Sequence, residues 1–348
     1  FPFGDNYIYI MQVYSNELQG EELTFKLYDS VSSEIHQYTE TVVFENDMII
    51  GDGFATLNLK NTINDLFVPM ESSLSNAYPN PFNPSTTFDY DISIESDVSI
   101  KIYDEGNKLI REITSISDSN FISYNGGPSS EPVLSNKVGL NRFVWDTRHT
   151  SLIGVPYAYI EGSFRGHKAI PGKYNLILDV GNSSFNSEFE ILKNPNFSVS
   201  DQDYLDLDKY ATHMESNFNE MAKYINSNKK LMDKLDVLVK ELDENPEVKE
   251  NGKKLLELMD NWDKKMMQRM SKAYDDVENF PNKFLADYLF ILDEIKGDIP
   301  NVSEGILKSL KSHDEKWVEL KKEIDQINQV NIPKYNKELW SISIGALN

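Results

Sequence analysis

The sequence contains no cysteine among its 348 residues. This absence excludes disulfides, thiolate zinc sites, iron–sulfur clusters and cysteine nucleophiles. The sequence also lacks any stretch near the ~18 consecutive apolar residues of a transmembrane helix. A Gly-rich phosphate loop and a Gly-x-Ser-x-Gly motif are both missing. We therefore expect neither a membrane span nor an enzyme, and function has to be inferred from architecture.

Basic residues are few compared with acidic ones. The chain has 34 Lys and Arg against 56 Asp and Glu, a formal net charge of −22. This balance opposes nucleic acid and anionic membranes as partners, because phosphate binding needs clustered Lys and Arg. A hydrophobic content of 40% with 11% aromatic residues favours folded domains. The chain begins with Phe1 rather than methionine, which is typical of a processed product or of part of a longer polypeptide.

Alternating apolar and polar residues predict two β regions in the first half of the chain. We expect a small antiparallel β domain over residues 1–66, a linker over 67–76, and an Ig-like β-sandwich over 77–196. The segment from Asp104 to Asn107 is typical of a tight turn. The expected strands of the sandwich are Thr87–Ile92, Val98–Asp104, Lys108–Thr114, Asn141–Asp146, Gly172–Val180 and Ser184–Leu192.

Two long insertions and one proline-rich run interrupt this region. Ser115–Val138 and Thr147–Ile170 are rich in Gly, Ser, Pro and Asn, which predicts surface loops. The run from Tyr78 to Thr87 contains three prolines within six residues. Proline fixes φ and removes a backbone donor, so the run can form neither a helix nor a central strand. We expect it to be a rigid entry into the sandwich.

From Asp201 the hydrophobic period changes from two to about 3.5, which predicts a helical bundle of about four helices over residues 201–345. Asn228 is the one polar residue of the first seam, a device that can set helix register. Pro246 is expected to end the first helix, and Pro281 the second, whose apolar spacing runs to Ala273. The first seam consists of Leu207, Ala211, Met214, Phe218, Met221, Ile225, Asn228, Met232, Leu235, Val239 and Leu242.

The histidines and the acidic residues give no metal-site spacing. His313 lies between Leu310 and Trp317 on the fourth helix, so we interpret it as a partly buried core residue. His36, His149, His167 and His213 lack the i, i+4 partners or neighbouring carboxylates of a zinc site. Calcium is conceivable at Asp201, Asp203, Asp206 and Asp208, but their spacing lacks the glycine and terminal Glu of an EF-hand. We interpret them as capping residues and expect no cofactor.

Aromatic residues near the second insertion leave one binding function open. Tyr157, Tyr159 and Phe164 could stack on sugar rings if exposed. The alternative is that they brace the loop while Trp145 packs inside the sandwich. We also assign structural roles to Pro171 and Gly172 at a strand start, and to Trp317 on the fourth helix.

Several short motifs resemble a known bacterial family. The segments Leu140–Asp146 and Ala169–Tyr174 resemble the closing strands of an Ig-like module that follows a sortilin-like, BNR-repeat β-propeller in proteins described as glycosyl hydrolases. In that family a helical tail follows, and its last part is similar to Asp298–Val302, Trp317 and Asn331–Tyr335. The resemblance covers roughly residues 77–345. This chain has no propeller segment, so no hydrolase residue of the family can be transferred to it.

The opening region gives a second resemblance. Phe3–Tyr7, Glu22–Tyr28 and Val43–Gly51 resemble the β-module that precedes the sorting domain of proteins exported by the type IX secretion system. The Pro-Asn-Pro-Phe-Asn-Pro run resembles the start of that sorting domain, an Ig-like module, although in those proteins the module closes the polypeptide. The resemblance implies an extracellular or cell-surface, non-catalytic C-terminal region that acts as a scaffold with protein partners. The alternative is an accessory glycan-binding region of a secreted glycoside hydrolase.

Overall fold

The computed structural model describes residues 2–3, 6–7, 11–15, 18–29, 34–51, 56–59, 62–63, 69–117, 123–156, 158–297 and 299–347. The chain divides into two compact units. The first comprises Phe1–Ser73, Tyr90–Ser96 and Asn136–Asn141. The second comprises Leu74–Asp89, Asp97–Ser135 and Arg142–Asn348.

The N-terminal strands are antiparallel. Strands β1 (Pro2–Phe3) and β2 (Asn6–Tyr7) pair with each other. Strands β3 (Gln19–Asp29), β4 (Glu34–Glu45) and β5 (Thr62–Ile63) form a sheet in the order β3-β4-β5. Phe25 and Phe44 are its buried aromatic residues among those described.

Seven further strands form two sheets. Their bounds are β6 Ser73–Leu74, β7 Thr86–Ile92, β8 Val98–Asp104, β9 Leu109–Thr114, β10 Gly139–Trp145, β11 Gly172–Val180 and β12 Ser183–Ile191. The sheet orders are β10-β7-β6 and β12-β11-β8-β9. The six strands predicted from the sequence agree with β7 to β12 within two residues at each end. The predicted turn between β8 and β9 is confirmed, since Asn107 donates its N–H to the Asp104 carbonyl at 3.0 Å.

An aromatic cluster joins side chains from both sheets. Burial alternates along β11, as expected for a strand with one face against a core. Trp145 of β10 is completely buried, and its ring lies 6.0 Å from that of Tyr174 on β11 and 5.7 Å from that of Phe189 on β12. Phe88 of β7 meets Phe189 edge to face at 5.2 Å. The sheets therefore share a packed interior.

The proline-rich run lies along strand β12. Asn80 Nδ2 donates to the Glu188 carbonyl at 3.3 Å, and Asn80 Oδ1 accepts the Glu190 N–H at 2.9 Å. Phe82 is buried, and its N–H donates to the Glu190 carbonyl at 3.0 Å. Asparagine side chains thus make the contacts that proline nitrogens cannot make.

Helix α1 (Asp201–Glu241) is the longest element of the described chain. Ser200 caps it, and the Asp203 carboxylate accepts the Ser200 N–H at 2.7 Å, which completes a capping box. The predicted seam is confirmed, because ten of its eleven residues are buried and Met232 is partly buried. The amide of Asn228 donates to the Met259 carbonyl of the next helix at 3.1 Å.

The other helices are α2 (Pro246–Met266), α3 (Phe284–Ile295), α4 (Glu304–Gln326) and α5 (Ile332–Ser341). A 3-10 turn lies at Tyr274–Glu278, and a π segment at Ile327–Asn331 joins α4 to α5 without a break. The chain therefore has about four helical rods. A π turn shifts the register of the backbone hydrogen bonds. Pro333 follows this turn, and because proline has no N–H it cannot donate the regular helical bond at that point.

One predicted helix end was confirmed and one was wrong. Helix α1 ends at Glu241, before Pro246 as predicted, and Pro246 begins α2, where its missing N–H costs nothing. Helix α2 ends at Met266 rather than near Ala273. Arg269 folds back on Asp263 with two bonds of 2.5 and 2.7 Å, and the chain leaves the helix in an extended conformation.

The prediction that the insertion 147–170 is a surface loop was wrong. Its apolar side chains belong to the same core as the helices, and they are Leu152, Val155, Ala158, Ile160 and Phe164. The Phe164 ring meets Phe218 of α1 edge to face at 5.8 Å. The described part of the segment has no regular strand or helix, as its composition indicates. These apolar side chains nevertheless face the helices. Among the described residues, no helix has the length and apolar character needed to cross a bilayer.

Candidate functional site

The insertion 147–170 folds back on itself and places two histidines side by side. The N–H of His149 donates to the carbonyl of His167 at 2.9 Å, and the N–H of Ala169 donates to that of Thr147 at 2.7 Å. The imidazole rings stack, with centroids 3.7 Å apart and planes inclined by 30°. Two histidines that are distant in sequence thereby become one pair.

Helix α1 supplies two carboxylates to this pair. Asp208 and Glu215 are seven residues apart, so they share one helix face. The oxygens of Glu215 accept the backbone N–H of His167 at 2.7 Å and lie 2.9 Å from its ring Nδ1. Asp208 Oδ1 lies 3.1 Å from His167 Nε2. Both ring nitrogens of His167 are therefore engaged by carboxylates of α1.

The two histidines have opposite protonation preferences. Burial by itself would lower the pKa of His167, but its hydrogen bonds to Asp208 and Glu215 outweigh burial and raise this pKa. Burial, together with the charge of His167, lowers the pKa of His149 to about 2. Burial would raise the pKa of Asp208, but the His167 bond and the Lys108 charge lower it. A neutral His149 is therefore stacked on His167, the more basic of the two histidines.

His149 differs from His167 in its hydrogen bonding. Its side chain is only 9% exposed, and its Nε2 lies 3.8 Å from Asp208 Oδ1, too far for a hydrogen bond. This nitrogen has no hydrogen-bond partner among the described residues. A buried polar atom without a partner is uncommon in native proteins and calls for an explanation.

Cationic side chains from the β8–β9 hairpin border the cluster. Arg111 donates to the carbonyls of Arg148 and His149 at 3.2 and 2.9 Å, and to Glu131 at 2.6 Å. These bonds fix the backbone that carries His149. Lys108 Nζ lies 3.6 Å from Asp208 Oδ2, and the Asp208 side chain is 25% exposed. The cluster thus reaches solvent at Asp208.

A second polar anchor holds the other end of the insertion. Lys296, at the end of α3, donates to the carbonyls of Ser163 and Arg165 at 2.7 and 3.0 Å. Its Nζ also lies 3.1 Å from Asp293 Oδ1, and the lysine side chain is 4% exposed. Burial lowers the pKa of Lys296, although Asp293 partly offsets this. Two helices therefore hold the insertion by buried charged groups.

Of the aromatic residues expected to contact a glycan, the two that the structure describes, Tyr159 and Phe164, are packed against other residues. Phe164 is 4% exposed and packs on Phe218, so its ring has no free face. Tyr159 is half-buried, and its N–H donates to the Ser271 carbonyl at 3.0 Å. A Cβ added at Gly126 would lie 2.3 Å from the Tyr159 ring, so this glycine permits the close approach. Tyr157 lies outside the described residues.

The residues assigned structural roles lie in packed surroundings. Trp145 donates its ring N–H to the Arg148 carbonyl at 3.0 Å. Trp317 is buried and donates to Glu220 at 3.2 Å. His313 is half-buried and stacks on Phe284, with centroids 5.9 Å apart. Pro171 and Gly172 lie at the start of β11, where Gly172 has φ of 152°.

The four acidic residues at the start of α1 have separate roles. Asp203 belongs to the capping box, Asp206 accepts from Gln202 at 2.8 Å, and Asp201 pairs with Lys193. Asp208 instead belongs to the histidine cluster. The acidic run is therefore not one group of converging oxygens.

Spacing along the sequence could not reveal the cluster. The i, i+4 test finds ligands on one helix, whereas His149 and His167 meet across a fold-back and face a third segment. The sequence offered one signal: Glu215 follows the seam residue Met214, and a carboxylate buried beside a seam requires a partner. In the structure Glu215 is 8% exposed. The cluster can act as a buried clamp or as a set of metal ligands.

No family model, no curated protein and no solved structure matches this chain.

Proposed function

We propose that this chain is a non-catalytic scaffold, the C-terminal region of an exported bacterial surface protein that binds other proteins. The sheets β6–β12 would be an Ig-like sandwich and the helices a bundle docked on its second insertion. The sequence resemblances support the exported setting, and the acidic, cysteine-free composition is compatible with it. The chain would act through buried area and shape rather than through bond chemistry.

The observation that carries the proposal is the shared core. Side chains of the insertion 147–170 and of all the helices form one hydrophobic cluster. The insertion is also pinned by His167 to α1 and by Lys296 to α3. A platform that presents a surface to a partner benefits from such stiffness, because less conformational entropy is lost on binding.

The helices also offer an apolar surface for a partner. A shallow groove of about 400 Å³ lies between α1 and α4. Tyr210, Leu307, Leu310 and Val318 give it apolar walls, with Asp314 among the polar residues at its edge. Val318 is 54% exposed. An aromatic and aliphatic centre within a charged rim is the usual composition of a protein interface.

Site-specific photo-crosslinking of the full chain in its native bacterium tests the proposal. A crosslinker at Val318 is expected to yield a discrete adduct with another protein, and one at Val237, a similarly exposed valine of α1, is the control. Exposure of the chain at the cell surface is checked by whether protease added to intact cells digests it. Equally weak, non-specific crosslinking from Val318 and Val237 would contradict a partner at this groove.

Activity measurements complete this test. The purified chain is expected to hydrolyse no glycosidic substrate and to show no retention on polysaccharide gels. Retention that is lost on Tyr159→Ala would replace the scaffold by the glycan-binding alternative. Turnover of a glycoside by the purified chain would refute a non-catalytic role.

A further inference from the structure

We propose that His149, His167 and Asp208 form a binding site for a divalent zinc ion, with Glu215 positioning His167. Two imidazole nitrogens and a carboxylate oxygen are a ligand set that zinc accepts, with one remaining position open to solvent or another ligand. This inference is independent of the scaffold proposal, because a metal site here would leave the interaction surface unchanged.

Two distances between proposed donor atoms are close to those around a tetrahedral ion. With bonds of about 2.0–2.1 Å, neighbouring ligand atoms of tetrahedral zinc lie about 3.3 Å apart. Asp208 Oδ1 lies 3.1 Å from His167 Nε2 and 3.8 Å from His149 Nε2. With Glu215 in place of Asp208, one donor atom from each of the three residues lies within 4.8 Å of the other two.

The unpartnered nitrogen of His149 is the second observation. A proton shared by His167 and Asp208 satisfies those two groups and leaves His149 Nε2 without a partner among the described residues. A single cation at the same place would satisfy all three donor atoms. The ring of His149 is more than nine-tenths buried and stacked on His167, so it is held beside the Asp208 oxygen.

Glu215 supplies the outer contact that metal-binding histidines usually have. Its Oε2 lies 2.9 Å from His167 Nδ1. Once an ion displaces the proton that His167 shares with Asp208, this contact keeps the remaining proton on Nδ1 and leaves the Nε2 lone pair directed towards Asp208. The same carboxylate accepts the backbone N–H of His167 at 2.7 Å. An ion could enter at Asp208, the most exposed group of the cluster.

Titration of the metal-stripped full chain with Co²⁺ tests the site. We expect one ion per chain, visible absorption bands typical of four-coordinate Co²⁺, and displacement by Zn²⁺. Saturating Zn²⁺ should also raise the melting temperature, because an ion that binds only the folded state stabilises it. Absence of saturable binding would overturn the proposal.

Two variants locate the ion, and a third is the control. His149→Phe keeps an aromatic ring in the stack and should abolish saturable binding, and Glu215→Gln should weaken it about 10- to 100-fold. His213→Phe removes a half-exposed histidine that lies 2.8 Å from Asp314, and binding should be unchanged. Because His149 makes no side-chain hydrogen bond through Nε2, its variant should still fold, as circular dichroism would show. Unaltered Co²⁺ spectra in folded His149→Phe would refute the assignment.

Discussion

Replacing Phe164 by alanine tests whether the insertion 147–170 is part of the core. The ring is 4% exposed and contacts Phe218, which is completely buried, at a centroid distance of 5.8 Å. A Phe→Ala change in a core costs about 3–5 kcal/mol, because transfer free energy is lost and a cavity remains. If the insertion were a mobile surface loop, the cost would stay within about 0.5 kcal/mol.

Urea unfolding followed by tryptophan fluorescence measures this cost. All four tryptophans belong to the second unit, and Trp145, Trp262 and Trp317 are buried, so the signal reports the unit that contains Phe164. With a slope of about 3 kcal/mol per molar urea, the midpoint should fall by about 1–2 M.

The matched control is Ile116→Ala in the first insertion, where the side chain is 65% exposed. Its midpoint should not change measurably. A loss below about 1 kcal/mol for Phe164→Ala, far less than a core phenylalanine costs, would refute the shared core. Equal effects of both substitutions would do the same.

Three further outcomes follow from the packing. Leu235→Asp should lower the melting temperature strongly, because the side chain is completely buried in the α1 seam and an unpaired charge there costs several kcal/mol. Lys296→Met should cost about 1–3 kcal/mol of unfolding free energy, since it removes the cation beside Asp293 Oδ1 and the donor to two carbonyls. Burial would raise the pKa of Asp146, but hydrogen bonds from the backbone and Arg165 outweigh it and lower this pKa below 3.8. Ionised Asp146 therefore stabilises the fold above pH 3.8, and this contribution is lost as the pH falls through the lowered pKa. Asp146→Asn should make the stability less dependent on pH in the acidic range.

Controls for these variants lie on the same elements or have the same chemistry. Val237→Asp places a charge at a 57% exposed position of α1 and should leave the melting temperature nearly unchanged. Lys264→Met removes a solvent-exposed lysine of α2 that pairs with Asp260, and such a surface ion pair should contribute little to stability. If either control is as damaging as its counterpart, the burial argument fails.

The buried cluster around His167 is costly to maintain unless every charge is paired. Desolvation penalises each ion, and excellent geometry is needed to offset it. His167 meets this requirement through two carboxylates, whereas Nε2 of its stacked neighbour has no partner in the described chain. This asymmetry is the observation on which the proposed zinc site rests.

The sequence determined the local elements, because their signals are local. Alternation located β7 to β12 within two residues, and the heptad spacing of α1 identified the residues that are now buried. Asn228 was recognisable as the one polar seam residue, although only the structure shows its bond to Met259. Helix ends were less accurate, since Arg269 and Asp263 stop α2 through a contact that periodicity does not record.

Tertiary structure alone decided what the irregular segments do. A Gly- and Pro-rich insertion has the composition of a surface loop, yet five apolar side chains of residues 147–170 belong to the same core as the helices. The same folding brings His149 and His167 together and sets them against Asp208 and Glu215. Sequence patterns record which face of one element is apolar, whereas such a site depends on where separate segments meet in space.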